Sequence, residues 1–211
     1  MDNVPKLVLA TNNQGKLREF RELLAGCGFE LVTPRDLGHV FDVEETGTTF
    51  RENAELKARA AAELTGLLAL ADDSGLEVDA LGGRPGVVSA RYAGGSETRA
   101  GMDPDEQCRI VLRELEGVPD ERRTARFRAV IAIADPAGDV RFAEGTFEGR
   151  IGHELRGEHG FGYDPIFLPD GFDVSAAELA PEVKNAHSHR ARAFEALLPE
   201  LERVAGAGTG A

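Results

Sequence analysis

Four short clusters of polar residues in this chain have the make-up of a site for a charged, planar ligand. The first is Thr11-Asn12-Asn13-Gln14-Gly15-Lys16, which follows an apolar run and precedes a helical one. A strand-loop-helix junction of this kind offers backbone N–H groups and the positive end of a helix, which suit phosphate oxygens. Lys16 stands in the first helical turn, against the helix dipole, and a phosphate bound there reconciles it. A plain N-capping turn with a solvated lysine is the alternative. It is not a Walker loop, because the Gly-x-x-x-x-Gly-Lys-Ser/Thr spacing is absent. The second cluster is Asp72-Asp73-Ser74-Gly75, read together with Glu44-Glu45 in an earlier acidic loop. Crowded carboxylates repel, and a hard cation relieves them; Mg2+ takes one or two carboxylates plus substrate phosphates. Asp-Asp-Ser-Gly is equally ordinary turn chemistry. The third, Gly160-Phe161-Gly162-Tyr163-Asp164-Pro165, can present ring faces to a nucleobase, or be a bulge with two core aromatics. The fourth, Lys184-Asn185-Ala186-His187-Ser188-His189-Arg190, is placed at the mouth of the last helix, where its cations oppose the dipole unless an anion or a hydrogen-bond acceptor binds. His187 and His189 have zinc-ligand spacing on a strand, but no third ligand cluster completes such a site.

These clusters need elements to hold them. Short apolar runs at 6–10, 29–32 and 67–71 predict buried strands, and Leu17, Phe20, Leu23 and Leu24 predict a helix over 16–25 that Gly26 ends. The opening therefore has βαβ character. Thr49-Phe50-Arg51-Glu52 has capping-box form and opens a helix to about residue 64. The strand at 67–71 is expected to stop at the Asp72–Gly75 turn, with a second short strand over 76–81. A helix over 105–115 and a hairpin of strands 126–134 and 140–147 follow, and Ser188 is expected to cap a final helix that Pro199 kinks. The fold class is α/β in a mixed α+β form. The expected architecture is an elongated mixed central sheet flanked by helices, in two lobes with a cleft between them. Residues 1–205 form one such domain, and the Gly/Ala tail at 206–211 is expected to be disordered.

Composition narrows the ligand. The 211 residues carry 24 Lys+Arg against 37 Asp+Glu, a formal charge of −13, which argues against a nucleic-acid polymer held by counterion release. A small anion carried in with a divalent metal is not excluded by it. At 42% hydrophobic the chain has material for a core, yet no run reaches the roughly 20 apolar residues of a membrane span. The opening Met1-Asp2-Asn3-Val4-Pro5 lacks a basic, apolar signal region, so no membrane partner is expected and the location is read as cytoplasmic. Cys27 and Cys108 make no disulfide framework and are read as buried small residues. The 25 glycines mark tight turns or places of close backbone approach.

Taken in order, the blocks resemble the inosine triphosphate pyrophosphatase family, enzymes that clear noncanonical purine nucleotides. The Thr11–Lys16 block is similar to the family's Ser/Thr-x-Asn-x-x-Lys opening. Glu44-Glu45-Thr46-Gly47, Glu52-Asn53-Ala54 with Lys57, Ala71 to Leu76, Ser89-Ala90-Arg91-Tyr92, Gly160 to Phe167 and Ser188-His189-Arg190 follow in the same order. The resemblance spans about residues 6 to 204 and looks closest to the bacterial branch. It implies a Mg2+-dependent homodimer that cleaves inosine, deoxyinosine and xanthosine triphosphates to the monophosphate and pyrophosphate. It places Thr11, Asn12, Asn13, Gln14, Gly15 and Lys16 around the triphosphate, with Lys57 and Arg91 approaching the phosphates. It gives the metal to Glu44, with Glu45 as fallback, and Asp73, and makes Asp73 the general base or the group that orients water. Phe161 and Tyr163 become candidate stacking walls, Gly162 part of the same loop, and Lys184, Ser74 and Asp164 fix the nucleotide. Arg190, His189 or a backbone N–H would donate to the 6-keto oxygen that separates these bases from adenine. A pyrophosphatase for another modified nucleotide, and a nucleotide-binding regulator without hydrolysis, are the competing readings.

Overall fold

The computed structural model describes residues 4–207, with side chains through Arg203. Its main sheet has six strands in the order β2-β1-β3-β6-β7-β8. The strands are β1 (Lys6–Leu9), β2 (Glu30–Val32), β3 (Ala69–Val78), β6 (Thr124–Ala134), β7 (Val140–Ile151) and β8 (Phe167–Pro169), while β4 (Tyr92–Gly94) and β5 (Glu97–Thr98) form a separate pair. The helices are α1 (Gln14–Leu23), α2 (Phe50–Thr65), α3 (Pro104–Glu114), α4 (Pro181–His187) and α5 (His189–Ala207). The chain divides into two compact units, one of residues 1–73, 129–145 and 190–211, the other of residues 74–128 and 146–189. Strands β3, β6 and β7 each contribute residues to both.

The first unit is built on parallel strands. β1 pairs with β2 through Lys6 opposite Glu30, and with β3 through Val8 opposite Ala69. Parallel neighbours need a crossover, and α1 and α2 supply it. Thr49 caps α2: its hydroxyl accepts the Glu52 N–H at 3.1 Å, and Glu52 Oε2 accepts the Thr49 N–H at 3.2 Å. Gly66, at φ +67°, ends that helix in the left-handed conformation that only glycine adopts without strain. The α2 face made of Ala54, Ala58, Ala61 and Ala62 is buried, together with Leu7, Leu9, Phe20, Leu70, Ile131 and Leu197. Arg51 over the Phe142 ring ties α2 to β7, and Arg59 donating to the Gly138 carbonyl ties it to the β6–β7 turn.

The second unit packs Leu76, Val78, Tyr92, Val111, Leu115, Phe127, Ile166 and Phe167. β8 lies antiparallel to β7, with Ile151 opposite Phe167. Glu114, near the end of α3, accepts the Tyr92 hydroxyl, Arg84 Nη1 and the Gly95 N–H, which pins the β4–β5 hairpin.

Several sequence expectations change. β3 runs unbroken from Ala69 to Val78, so Asp72-Asp73-Ser74-Gly75 is mid-strand and not a turn. Buried carboxylates are tolerable there because cations from other elements meet them, which local sequence does not display. A helix over Pro181–His187 was not foreseen; Ser188 ends it, and α5 begins at His189. Lys184 and His187 thus lie in a last helical turn, where the dipole favours cations, so the expected conflict does not exist there. α5 continues past Pro199 to Ala207, beyond the expected order limit at 205; the rest of the expected tail, 208–211, lies outside the described residues. Cys108 is buried as expected, whereas Cys27 is only half-buried. The predicted hairpin is present: β6 and β7 are neighbours, and their turn closes with the Asp135 N–H on the Asp139 carbonyl at 3.1 Å.

Candidate functional site

In the first unit, β3 carries adjacent carboxylates that do different things. Side chains alternate along a strand, so Asp72 and Asp73 leave on opposite faces. Asp72 Oδ2 meets Lys16 Nζ at 2.8 Å and Arg190 Nε at 3.2 Å, and Arg190 Nη1 reaches Glu19 Oε2 at 2.8 Å. Asp73 Oδ1 meets Lys57 Nζ at 2.7 Å, and the same ammonium holds Glu45 Oε1 at 2.8 Å and the Asp72 carbonyl at 2.9 Å. Asn53, on α2 one turn before Lys57, donates to Asp73 Oδ2 at 3.4 Å and accepts the Gly47 N–H at 2.8 Å. It therefore ties the acidic loop to the strand. Asp73 shares its cation with Glu45.

The electrostatics follow from burial. Burial alone would raise the Asp72 carboxyl, but Lys16 and Arg190 outweigh it and hold the group well below the usual carboxylate range. Burial raises Asp73, and Lys57 and Lys16 do not fully offset it. Burial lowers Lys16. For Lys57, burial opposes the charged form, yet Asp73 and Glu45 together raise it. Arg190 behaves likewise, its charge favoured by Asp72 and Glu19 against burial.

The Thr11–Lys16 block caps α1. Asn13 Oδ1 accepts the N–H groups of Gly15 at 2.8 Å and Lys16 at 3.1 Å, so these donors serve the cap and are not open as the sequence suggested. Thr11 Oγ1 accepts the Asn13 N–H, and Asn12 reaches across to the Phe41 carbonyl at 2.8 Å. Gln14 opens the helix and is exposed. Lys16 sits in the first turn as expected, with Asp72 as its counter-ion.

In the second unit, the loop before β8 is organised around Asp164. Its Oδ2 accepts the Phe161 N–H at 2.8 Å and meets Lys184 Nζ at 2.6 Å, and that ammonium lies 5.2 Å from the Phe161 ring centroid. Gly160, at φ +75°, has Asp164 Oδ2 so close that a Cβ would overlap it. Gly162, at φ +64°, faces open space. Phe161 is half-buried, while Tyr163 lies inside the core with its hydroxyl on the Ser89 carbonyl at 2.8 Å. His189 is buried and stacks on Phe127 at 5.0 Å. Ser74 and Arg91 are partly buried, the latter closing the 3-10 turn Gly86–Arg91.

The structure thus brings Lys16, Lys57, Asp73 and Arg190 together with Asp72, and brings Phe161, Asp164 and Lys184 together. Glu44 is exposed, and its neighbour Glu45 makes the contact with Lys57. Glu19 stands outside the motif blocks, and Asn53 belongs to one of them without an assigned role. Both are buried polar residues at helical spacing from a matched lysine, Asn53 four before Lys57 and Glu19 three after Lys16, which is a signal the sequence contains. Among the described residues no three His, Cys, Asp or Glu side chains gather as a metal cluster. The carboxylates of Glu45 and Asp73 meeting at one ammonium are nonetheless the hard-oxygen donor set that Mg2+ accepts, and burial of Asp73 makes a cation welcome. A cleft of about 600 Å3 elsewhere in the second unit is lined by Arg109, Arg113, Arg123 and His153, and by none of the expected site residues. Its arginines are already engaged: Arg113 with Glu106, and Arg123 with the Ile151 and Leu115 carbonyls.

A sequence model of the Ham1 family matches residues 7–200. A Leifsonia xyli protein named dITP/XTP pyrophosphatase is 50% identical, over 96% of this chain and 98% of its own. A protein of the same name from Desulforamulus reducens is 53% identical over 94% and 96%. The solved structure of a HAM1 protein from Coxiella burnetii superposes with a TM-score of 0.83 at 44% identity, covering 94% of this chain and 99% of that one.

Proposed function

The chain belongs to the Ham1 family, and from that premise we propose that it hydrolyses noncanonical purine nucleoside triphosphates, namely inosine, deoxyinosine and xanthosine triphosphates. The reaction adds water across the anhydride between the α- and β-phosphates, giving the nucleoside monophosphate and pyrophosphate. The observation that carries the reading is the buried Lys16–Asp72–Arg190 and Glu45–Lys57–Asp73 network on β3. Networks that bury this many charges are costly to assemble, and such perturbed groups concentrate where charge is handled.

In this reading, Lys16 and Lys57 meet the triphosphate oxygens and Asp73 orients the attacking water. Asp72 and Glu19 hold the Arg190 guanidinium in place. Most of the rate then comes from positioning and charge stabilisation. Glu45 and Asp73 would hold Mg2+, with Glu44 the neighbouring alternative, and the ion supplies charge neutralisation on the phosphate oxygens. Phe161 takes the base by stacking, fixed by Asp164 and Lys184, and Ser74, Arg91 and His189 complete the substrate contacts. The family resemblance further supports a homodimer working in the cytoplasm. Among the described residues no helix is long and apolar enough to cross a membrane.

Purified protein with a panel of purine and pyrimidine triphosphates, in Mg2+ and in EDTA, tests this directly. The expected outcome is inosine monophosphate plus pyrophosphate, with ATP turned over far more slowly. Orthophosphate release removes the mechanism, equal turnover of ATP removes the specificity, and binding without turnover leaves the regulator.

A further inference from the structure

In the second unit, three elements converge on one backbone carbonyl. The Ser89 oxygen accepts the Tyr163 hydroxyl at 2.8 Å and Gln107 Nε2 at 3.2 Å, and the same amide reaches the Tyr92 carbonyl at 3.4 Å. Ser89 is itself fixed, because its Oγ accepts the Leu76 N–H at 3.0 Å and donates to the Gly86 carbonyl at 2.6 Å. Gly75 makes that approach possible, since a Cβ there would overlap Ser89 Oγ. The residue after Gln107 makes a second tie: Cys108 Sγ donates to the Gly162 carbonyl at 3.4 Å. Burial pushes that thiol up to about 12, so it stays protonated and a donor.

We propose that α3, through Gln107 and Cys108, sets the position of the 160–164 loop, and that Gln107 is a positioning residue for nucleoside recognition. This rests on the reading that Phe161 takes the base. The physical reason is that the loop's backbone is permissive at two of its positions. Gly160 and Gly162 both sit at positive φ, where the chain is most permissive, and no strand ladder or helix spans residues 160–163. The Asp164–Lys184 pair fixes one side of Phe161. On its other side the loop meets Ser89 through the Tyr163 hydroxyl and α3 through the Gly162 carbonyl. A carbonyl with two lone pairs can serve both donors at once, so Gln107 and Tyr163 are coupled through a shared acceptor.

The test is Gln107→Met, which keeps volume and helix propensity while removing the amide. KM for inosine triphosphate is expected to rise about five-fold, the equivalent of one net hydrogen bond, with kcat changing much less. Inhibition by pyrophosphate, which needs only the phosphate-binding residues, is expected to keep its Ki. Tyr163→Phe should act in the same direction, and the double variant should fall short of the product of the two because they share one acceptor. Hydrogen exchange of the peptide covering 160–164 should accelerate in Gln107→Met, whether or not any nucleotide is turned over. Unchanged KM with unchanged exchange overturns the proposal, as does an equal rise in KM and in the pyrophosphate Ki. A wild-type protein that leaves inosine triphosphate intact refutes the nucleotide reading instead, and the exchange measurement then decides the α3 tie by itself.

Discussion

Lys184→Met examines the buried charge pair of the second unit. The Lys184 and Asp164 side chains are 5% and 2% exposed, with Nζ and Oδ2 2.6 Å apart, so water cannot replace a lost partner. Met matches Lys in volume and helix propensity, so α4 is not weakened for local reasons. Removing one member of a buried pair leaves an uncompensated charge, which costs about 3–5 kcal/mol. For a chain of this size each kcal/mol moves Tm by about 2–4 °C, so a fall of about 6–20 °C is expected. Adding Asp164→Asn removes the stranded charge while keeping an acceptor for the Phe161 N–H, and should restore much of the loss. Urea and thermal unfolding of the wild type, both single variants and the double variant complete the cycle, with a coupling of about 2 kcal/mol expected. A loss below about 1 kcal/mol for Lys184→Met, or a double variant whose cost equals the sum of the singles, refutes the reasoning.

Asp73→Asn should abolish turnover, and because Glu45 still faces Lys57 its stability loss should be smaller than that of Lys184→Met; near-normal activity removes Asp73 from its assigned role. Mg2+ should raise the Tm of the wild type in a saturable way, by the equivalent of about 2.7 kcal/mol at a hundred times its Kd, and this gain should shrink in Asp73→Asn. Gly160→Ala must strain a positive φ and also displace Asp164, whereas Gly162→Ala meets open space and bears only the conformational cost of about 1–2 kcal/mol. Chemical denaturation should therefore rank Gly160→Ala clearly worse. Both tyrosines have raised pKa values, Tyr92 to about 12 through burial and its bond to Glu114, and Tyr163 upward through burial. Ultraviolet titration should show no tyrosinate near pH 10 while the protein is folded. Because the folded state keeps these protons longer than the unfolded state, stability should be unaffected below pH 10 and decline between 10 and about 12.

Local signals were legible in the sequence wherever a few neighbouring residues decide the outcome. The Thr49–Glu52 box, the apolar runs behind β1 and β2, the Asn13 turn and the Asp135–Asp139 hairpin turn all depend on contacts within a few positions, and they are where the residues placed them. The ordered motif blocks likewise identified the family without any geometry. Residue type and order, retained across the length of the chain, are sufficient for that.

Partner choice was not legible, because it is set by groups far apart in sequence. Asp72-Asp73-Ser74-Gly75 has the composition of a turn, but Lys16, Lys57 and Arg190, arriving from other elements, meet its acids within a strand. The strand then sends its acids to opposite faces, which assigns Asp72 to Lys16 and Arg190, and Asp73 to Lys57 with Glu45. Similarly, the tertiary structure decided that Lys184 closes one helix while Arg190 opens the next, and that Tyr163 turns into the core while Phe161 stays at its edge. The sequence by itself determined the family, through the type and order of its motif blocks. Which charge neutralises which, and which ring enters the core, depended on burial and on long-range pairing that no local pattern encodes.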